Sequence, residues 1–116
     1  MKDYASMSDQ QINQLVGCKV GEMKMGKYGA CCITSNGEAL SIKGGVWQTF
    51  DPCNNPADAW PIIVENGITL AFQDGNWWAD NLAYWVDGVE WNIGGIIDKN
   101  PLRAAMVVFL MMKEVE

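Results

Sequence analysis

The chain has 116 residues, of which 49% are hydrophobic and 19% are charged, and its formal net charge is −6. This length suits a single small domain, residues 1–116, and the apolar content excludes an intrinsically disordered chain. The longest apolar run, residues 104–112, is about half of what a membrane-spanning helix needs, so neither a transmembrane segment nor a membrane partner is expected.

Acidic residues dominate the middle of the sequence. Residues 44–98 contain eight Asp or Glu residues and neither Lys nor Arg. Such a segment repels nucleic-acid phosphates, so direct nucleic-acid binding is not expected. It suits a basic surface on a partner protein, although a solvated acidic face without a partner explains the same pattern.

The cysteines and the absence of histidine limit the available chemistry. Cys18, Cys31, Cys32 and Cys53 form no Cys-x-x-Cys pair, and the polar N-terminus predicts no secretory signal. We therefore expect free thiols in a reducing compartment, with no metal site and no cofactor. Because a Cys–His pair is impossible and no spacing marks a carboxylate pair, no catalytic residue is assigned. Adjacent Cys31 and Cys32 would point to opposite faces of a strand, and at least one is expected in the core.

The N-terminal segment predicts one short helix. Ser8 and Gln11 form a capping-box pattern ahead of an apolar face, which indicates a helix over residues 8–16. Residues 17–27 are Gly-rich and mixed, and they suit either a strand with a loop or an exposed segment.

Three X-Gly pairs predict hairpins: Asn36-Gly37, Asp74-Gly75 and Asp87-Gly88. Each lies between apolar runs and is typical of a type I′ turn, which favours antiparallel pairing through most of the sheet. The predicted strands are residues 28–35, 38–43, 46–50, 68–73, 76–79, 82–86 and 89–93.

Residues 51–67 contain the start and end of a second helix. Asn55 is a favourable N-cap, and Pro56 then occupies the first helical position. In a helix that starts there, Pro61 removes one hydrogen bond of the helix interior. If Asp58 were the cap instead, Pro61 would lie in the first turn and no hydrogen bond would be lost. The longer helix, with a tight or kinked first turn and an end at Gly67, is favoured. Its core-facing residues are predicted to be Ala59, Trp60, Ile63 and Val64.

The start of this helix is also a candidate polar binding site. Free N–H groups at a helix N-terminus favour polar and anionic ligands. Capping and turn formation explain the same residues without any ligand. The candidates are Asp51, Asn54, Asn55 and Asp58.

Asn100-Pro101 repeats the cap-plus-proline pattern and predicts a third helix over residues 101–113. This helix is apolar on nearly every side, so it is either buried on several sides within one chain or partly in contact with a second subunit. A possible homodimer would use the residues outside its main apolar face, namely Val107, Val108, Met111 and Met112.

Six tryptophans are a heavy aromatic content for this length, and most of them are expected in the core. Trp77 and Trp78 are adjacent in a predicted hairpin and therefore point to opposite sheet faces. On an uncovered face, such a ring would recognise a protein groove, a base or a sugar, with Asp80 as a neighbouring candidate. Together these patterns predict an α+β domain: a single small domain with a mostly antiparallel sheet of hairpins and about three helices packed on it, in a sandwich-like arrangement.

Two segments carry a family resemblance. FDPCNNPADAWPIIVEN at residues 50–66 and the helix at residues 100–112 strongly resemble the NinX-like proteins of lambdoid phages and related prophages, and residues 4–15 are similar as well. More distantly, the pattern is similar to small phage α-β-α sandwich domains, which implies helices packed on an antiparallel sheet. The resemblance implies a phage origin and the host bacterial cytoplasm, and it transfers no catalytic residue to this chain.

The leading functional hypothesis is a non-enzymatic phage accessory protein that binds a host or phage protein. One alternative is an acidic phosphate mimic that blocks a basic nucleic-acid-binding surface, which predicts that the eight acids share one face. Another is a module that binds a small ligand or a single strand through Trp77, Trp78 or Trp85. An enzyme would require a cleft with at least two perturbed acids or a thiolate.

Overall fold

The computed structural model describes residues 3–22 and 31–116, and within these ranges helices alternate with antiparallel hairpins. In chain order the elements are a 3₁₀ turn (Tyr4–Ser6), α1 (Asp9–Glu22), β1 (Cys31–Ile33), β2 (Ala39–Lys43), β3 (Val46–Thr49), α2 (Pro56–Asn66), β4 (Thr69–Gln73), β5 (Asn76–Val86), β6 (Val89–Asp98) and α3 (Pro101–Glu114). The described strands form two three-stranded sheets, ordered β1-β2-β3 and β4-β5-β6. The predicted α+β class with three helices is confirmed, and the hairpins are divided between two sheets.

Helix α3 is the centre of the domain. It contacts α1, α2 and all three strands of the second sheet, while α1 also packs on the first sheet. Every residue from 104 to 110 is buried, and so is Met112. A helix surrounded in this way needs apolar side chains on all faces, which explains the composition of this segment.

The proposed self-association surface on α3 is not exposed. Val107, Val108 and Met112 are buried within the monomer, and Met111 packs half-buried against the same core. Intramolecular packing therefore accounts for the apolar residues that suggested a homodimer interface at this helix.

Several element boundaries differ from the predictions. Helix α1 extends to Glu22 instead of ending near residue 16, β5 is continuous where two strands were predicted, and β6 continues to Asp98. Residues 23–30 lie outside the described residues, and they include much of the Gly-rich segment and the start of the first predicted strand.

The hairpin turns follow the predicted chemistry in two of three cases. Asp74 and Asp87 have φ values of 52° and 49°, as a type I′ turn requires at its first central position. Asn36 is not among the positive-φ residues, and the first hairpin instead closes through a longer loop, with Gly37 N–H bonded to Thr34 O and Thr34 N–H to Glu38 O, both at 2.9 Å.

Helix α2 adopts the longer of the two predicted forms. The Asn55 side chain caps it by accepting from Ala57 N–H, and Gly67 ends it at φ 64°. Its buried residues are Asp58, Ala59, Ile62 and Ile63. The prediction that Trp60 and Val64 face the core is wrong, because they are 60% and 61% exposed. Apolar residues occupy more than one side of this helix, so their spacing does not single out the buried side.

Gly94 brings β6 unusually close to β5. A Cβ added there would lie 2.2 Å from Asp80 Cβ and 2.6 Å from Asp80 Cα, and its φ is 146°. Gly75 also has a positive φ of 76°, but an added Cβ would meet nothing within 4 Å.

These two glycines provide a matched stability test. We expect Gly94→Ala to lower the free energy of unfolding by about 3 kcal/mol, since it combines a backbone clash with an unfavourable φ. Gly75→Ala should lower the free energy of unfolding by roughly 1 kcal/mol, because only the unfavourable φ opposes the added Cβ. Urea unfolding followed by tryptophan fluorescence measures both, and equal losses would contradict the close approach at Asp80.

Candidate functional site

The N-termini of all three described α-helices converge on one group of polar side chains, which we call the polar junction. Its members are Asp9, Asn13, Asp51, Asn54, Asn100 and Arg103. The junction includes two of the sequence-predicted site residues, Asp51 and Asn54. Asp9 and Arg103 are 94 positions apart, so no local pattern places them together.

Arg103 is the cation of the junction and contacts groups from three parts of the chain. Its Nη1 lies 2.6 Å from Asp9 Oδ1, and its Nε lies 3.3 Å from Asp98 Oδ2. Its Nη2 donates to the backbone carbonyls of Tyr4 at 3.1 Å and Met7 at 2.6 Å. With a side chain only 13% exposed, this cation joins the N-terminal turn, the end of β6 and the start of α3.

The asparagines complete the network around the chain entering α2. Asn13 donates to Asp51 Oδ1 at 2.7 Å and accepts from Cys53 N–H at 3.1 Å. Asn100 donates to Cys53 O at 2.6 Å while its side-chain oxygen caps α3. Asn54 donates to both Asp9 and Asp51. The polar groups of the junction therefore bind one another.

The remaining two candidates at this helix start, Asn55 and Asp58, also have internal partners. Asn55 is the cap of α2. Asp58 is 6% exposed, accepts from Asp51 N–H at 2.9 Å and lies 2.5 Å from Lys43 Nζ. These contacts favour capping and turn formation over ligand binding at the start of α2.

A cleft of about 330 Å³ opens beside the junction and is lined in part by Asp9, Glu38 and Asp51. Each of these carboxylates already accepts a hydrogen bond from the protein, including one of 2.6 Å from the Thr49 hydroxyl to Glu38. Among the described residues, no group of three or more His, Cys, Asp or Glu side chains is arranged to hold a metal ion.

The Cys53 thiol in this region is held in its neutral form. Burial, followed by the negative charge of Asp9, raises its pKa from 9.0 to about 12. A cysteine nucleophile needs the opposite shift, so this thiol behaves as a core group. The prediction that Cys31 or Cys32 lies in the core is wrong, because Cys31 is half-buried and Cys32 is exposed on the opposite face of β1. Among the described cysteines, the buried one is Cys53.

The second sheet offers a different kind of candidate site. Buried Ala79 pairs with Leu70 and Ile96 on the side that packs against α3, so the alternate residues face away from the helix. No described helix or strand packs extensively on that opposite side. We call it the open face, and its main side chains are Ala71, Trp78, Asp80, Trp85, Glu90 and Ile97.

The two adjacent tryptophans separate as predicted. Trp77 points to the α3 side, where its ring centroid lies 5.2 Å from that of Phe72. Trp78 points to the open face, opposite Ala71 and Ile97. It is half-buried, and its Nε1 is the one buried side-chain N or O atom in the described structure without a hydrogen-bond partner.

The expectation that most tryptophans are in the core is wrong. Trp47, Trp60, Trp85 and Trp91 are exposed, and Trp77 and Trp78 are half-buried. The central helix instead fills the core with Met, Val, Ala and one Phe. Sequence reasoning left Glu90 and Ile97 out of the candidate site, although the Asp87-Gly88 turn already aligns Glu90 with Trp85.

The eight acids of residues 44–98 do not share one exposed face. Asp58 is buried, Asp51 belongs to the polar junction, and Asp98 is paired with Arg103. Asp74, Asp80, Asp87 and Glu90 lie on the second sheet or its turns, and none has an ion pair with another described residue.

These features define a small α+β domain with a central helix, an internally bonded polar junction and a sheet face that no described element covers. A family model described as "Bacteriophage P22, NinX" matches residues 3–113, and the chain belongs to this family. A comparison with curated proteins finds no match. None of the described helices is long and apolar enough to cross a bilayer.

Replacing Arg103 tests the importance of the junction. We expect Arg103→Met to lower the free energy of unfolding by about 3 kcal/mol or more, because Asp9 and Asp98 lose their shared cation. The exposed Lys99→Met is the matched control and should change it by less than about 0.5 kcal/mol. Urea titrations of both variants give the comparison, and similar effects would show that the junction does not stabilise the fold.

The raised pKa of Cys53 predicts a pH dependence. Between pH 9 and 12 the folded state retains the thiol proton that the unfolded state loses, so stability falls as pH rises through this window. Urea unfolding at about pH 8 and about pH 10.5 should therefore show that wild type loses more unfolding free energy than Cys53→Ala over this range.

The burial of Cys53 also predicts its reactivity. In a thiol-labelling assay, Cys18 and Cys32 should react in the native protein and Cys53 only after unfolding, since Cys53 is buried. Labelling of Cys53 in the native protein would contradict this.

Proposed function

We propose that the protein is a non-enzymatic phage accessory protein that binds a host or phage protein in the bacterial cytoplasm through the open face. The observation that carries this proposal is Trp85, which is 61% exposed on a sheet face without a described covering element. Tryptophan is strongly enriched among the residues that dominate protein–protein binding energy.

The rest of the open face supports the same function. Ile97 is exposed, and Trp78 and Ala71 present further apolar surface between the strands. Two acids, Asp80 and Glu90, lie beside this apolar surface, and their charges would select a partner of opposite charge and fix its orientation in a complex. The polar junction offers less to a partner, because its polar groups are already bonded to one another.

The two alternative functions receive less support. A phosphate mimic needs acids gathered on one face, and three of the eight are engaged elsewhere. A single-stranded nucleic acid or a nucleotide would stack a base on the Trp85 ring and bring its phosphates close by. Glu90 lies directly opposite Trp85, and its negative charge disfavours such a phosphate-bearing ligand.

Affinity co-purification with a matched pair of variants tests the proposal. The tagged protein is used to capture partners from infected and uninfected host lysates at low and high salt. Trp85→Ser should retain at least about tenfold less of a stoichiometric partner, since truncation of such a tryptophan typically costs about 2 kcal/mol or more. Trp60→Ser is the control, because Trp60 is 60% exposed on α2, away from the open face.

Each outcome discriminates between interpretations. If Trp85→Ser retains the partner and Trp60→Ser loses it, the interface lies on α2 and the open face is the wrong surface. If no protein is retained in any lysate but oligonucleotides or sugars quench the tryptophan fluorescence, a ligand-binding module replaces the proposal.

A further inference from the structure

Each outward tryptophan on the open face has a carboxylate beside it. Glu90 is the direct cross-strand neighbour of Trp85, a relation that places Cβ atoms about 5 Å apart. Asp80 is two positions from Trp78 on the same strand and face, about 7 Å along β5. The face therefore carries two pairs, each made of an indole and an acid.

An irregularity in β5 puts both pairs on one side of the sheet. Trp78 and Trp85 are an odd number of positions apart, and in a regular strand they would point to opposite faces. The register shifts between Asn81 and Tyr84, and Tyr84 returns to the core side, where its hydroxyl donates to Glu116. Trp85 is thereby turned to the same face as Trp78.

The two acids of these pairs are not neutralised within the described structure. Elsewhere, Asp9, Asp58 and Glu116 are paired with Arg103, Lys43 and Lys113. Asp80 and Glu90 have no such partner, and the sequence contains no Lys or Arg from residue 67 to residue 98. The open face thus presents uncompensated negative charge next to one exposed aromatic ring, Trp85, and one half-buried ring, Trp78.

We infer that the open face binds an arginine-bearing segment of its protein partner, with one guanidinium at Trp85–Glu90 and a second at Trp78–Asp80. Arginine fits both groups of a pair at once, because its planar guanidinium stacks on an indole ring while its N–H groups bond a carboxylate. Lysine offers a point charge without this planar surface. A nucleic acid is disfavoured, because its phosphates would face the two acids.

The distance between the pairs defines the spacing of the two arginines. The seven positions from Trp78 to Trp85 include the extra residue at the register shift, so they correspond to about six regular steps, or roughly 20 Å at about 3.3 Å per residue. An extended partner segment would span this distance with arginines about six positions apart, an even spacing that directs both side chains to the same face. This binding mode rests on the proposed function, because it uses the same face and adds the chemistry of the partner.

Labelled synthetic peptides test the arginine preference on the intact protein by fluorescence anisotropy. One extended peptide of about 15 residues carries two arginines six positions apart, and matched peptides carry lysine or neutral citrulline at those positions. The arginine peptide should bind at least about tenfold more tightly than the citrulline peptide and several-fold more tightly than the lysine peptide. Its affinity should also fall steeply between about 50 mM and about 500 mM NaCl.

A pair of double variants with the same charge change tests the placement. Asp80→Asn with Glu90→Gln removes the two acids beside the tryptophans and should weaken the arginine peptide at least about tenfold. Asp74→Asn with Asp87→Asn removes two acids at the hairpin turns, where asparagine also suits the positive φ, and should weaken it less than about threefold. Thermal unfolding of each variant verifies that the fold is retained.

Three results would overturn the arginine assignment: equal binding of the arginine and citrulline peptides, equal binding of the arginine and lysine peptides, or equal weakening by the two double variants. Lysate capture separates this failure from that of the proposed function. If a partner is lost with Trp85→Ser but retained by the Asp80→Asn, Glu90→Gln variant at high and low salt, the open face binds a protein by another chemistry. If the partner is retained by Trp85→Ser, the proposed function itself fails at this face.

Discussion

The arrangement of the chain ends depends on the contacts of the Arg103 guanidinium, whose side chain is largely withdrawn from solvent. It links the carboxylates of Asp9 and Asp98 and the carbonyls of Tyr4 and Met7, so one side chain connects the N-terminal turn, α1, β6 and α3. A buried charge is tolerated only when its partners are in place, because desolvation otherwise costs several kcal/mol. The polar junction around it orients the three helix starts.

The central position of α3 leaves one face of the second sheet without a described covering element. With α3 placed centrally, its sides are occupied by α1, α2 and the inner face of the second sheet. The aromatic residues of the core are Tyr4, Phe50 and Phe109, and no tryptophan is among the described buried residues. The outer face of the second sheet receives no described helix, and the exposed ring of Trp85, the half-buried ring of Trp78 and two unpaired acids occur together there.

Local chemistry made much of the fold predictable. The Asn-Pro starts of α2 and α3 and the Asp-Gly turns of the second sheet depend on a few neighbouring residues, and all four are found as expected. The extent of α1 and the continuity of β5 were mispredicted, since both depend on packing against distant segments. Of the candidate site residues, Asp51 and Asn54 were brought together as expected, but with internal partners that lie far away in the chain, such as Asp9 and Asn13.

The Asn-Pro helix starts and the Asp-Gly turns follow from the amino-acid sequence, because each rests on a short segment whose chemistry is independent of the rest of the chain. The α+β class and membership in the NinX family also follow from the sequence, but from patterns that extend over nearly the whole chain. Exposure does not, because burial depends on which element comes to lie on a given face. The register shift between Asn81 and Tyr84 and the central position of α3 determine that Trp78, Trp85, Asp80 and Glu90 share an uncovered surface. Strand periodicity alone would have placed the two tryptophans on opposite faces, since side chains alternate along a regular strand.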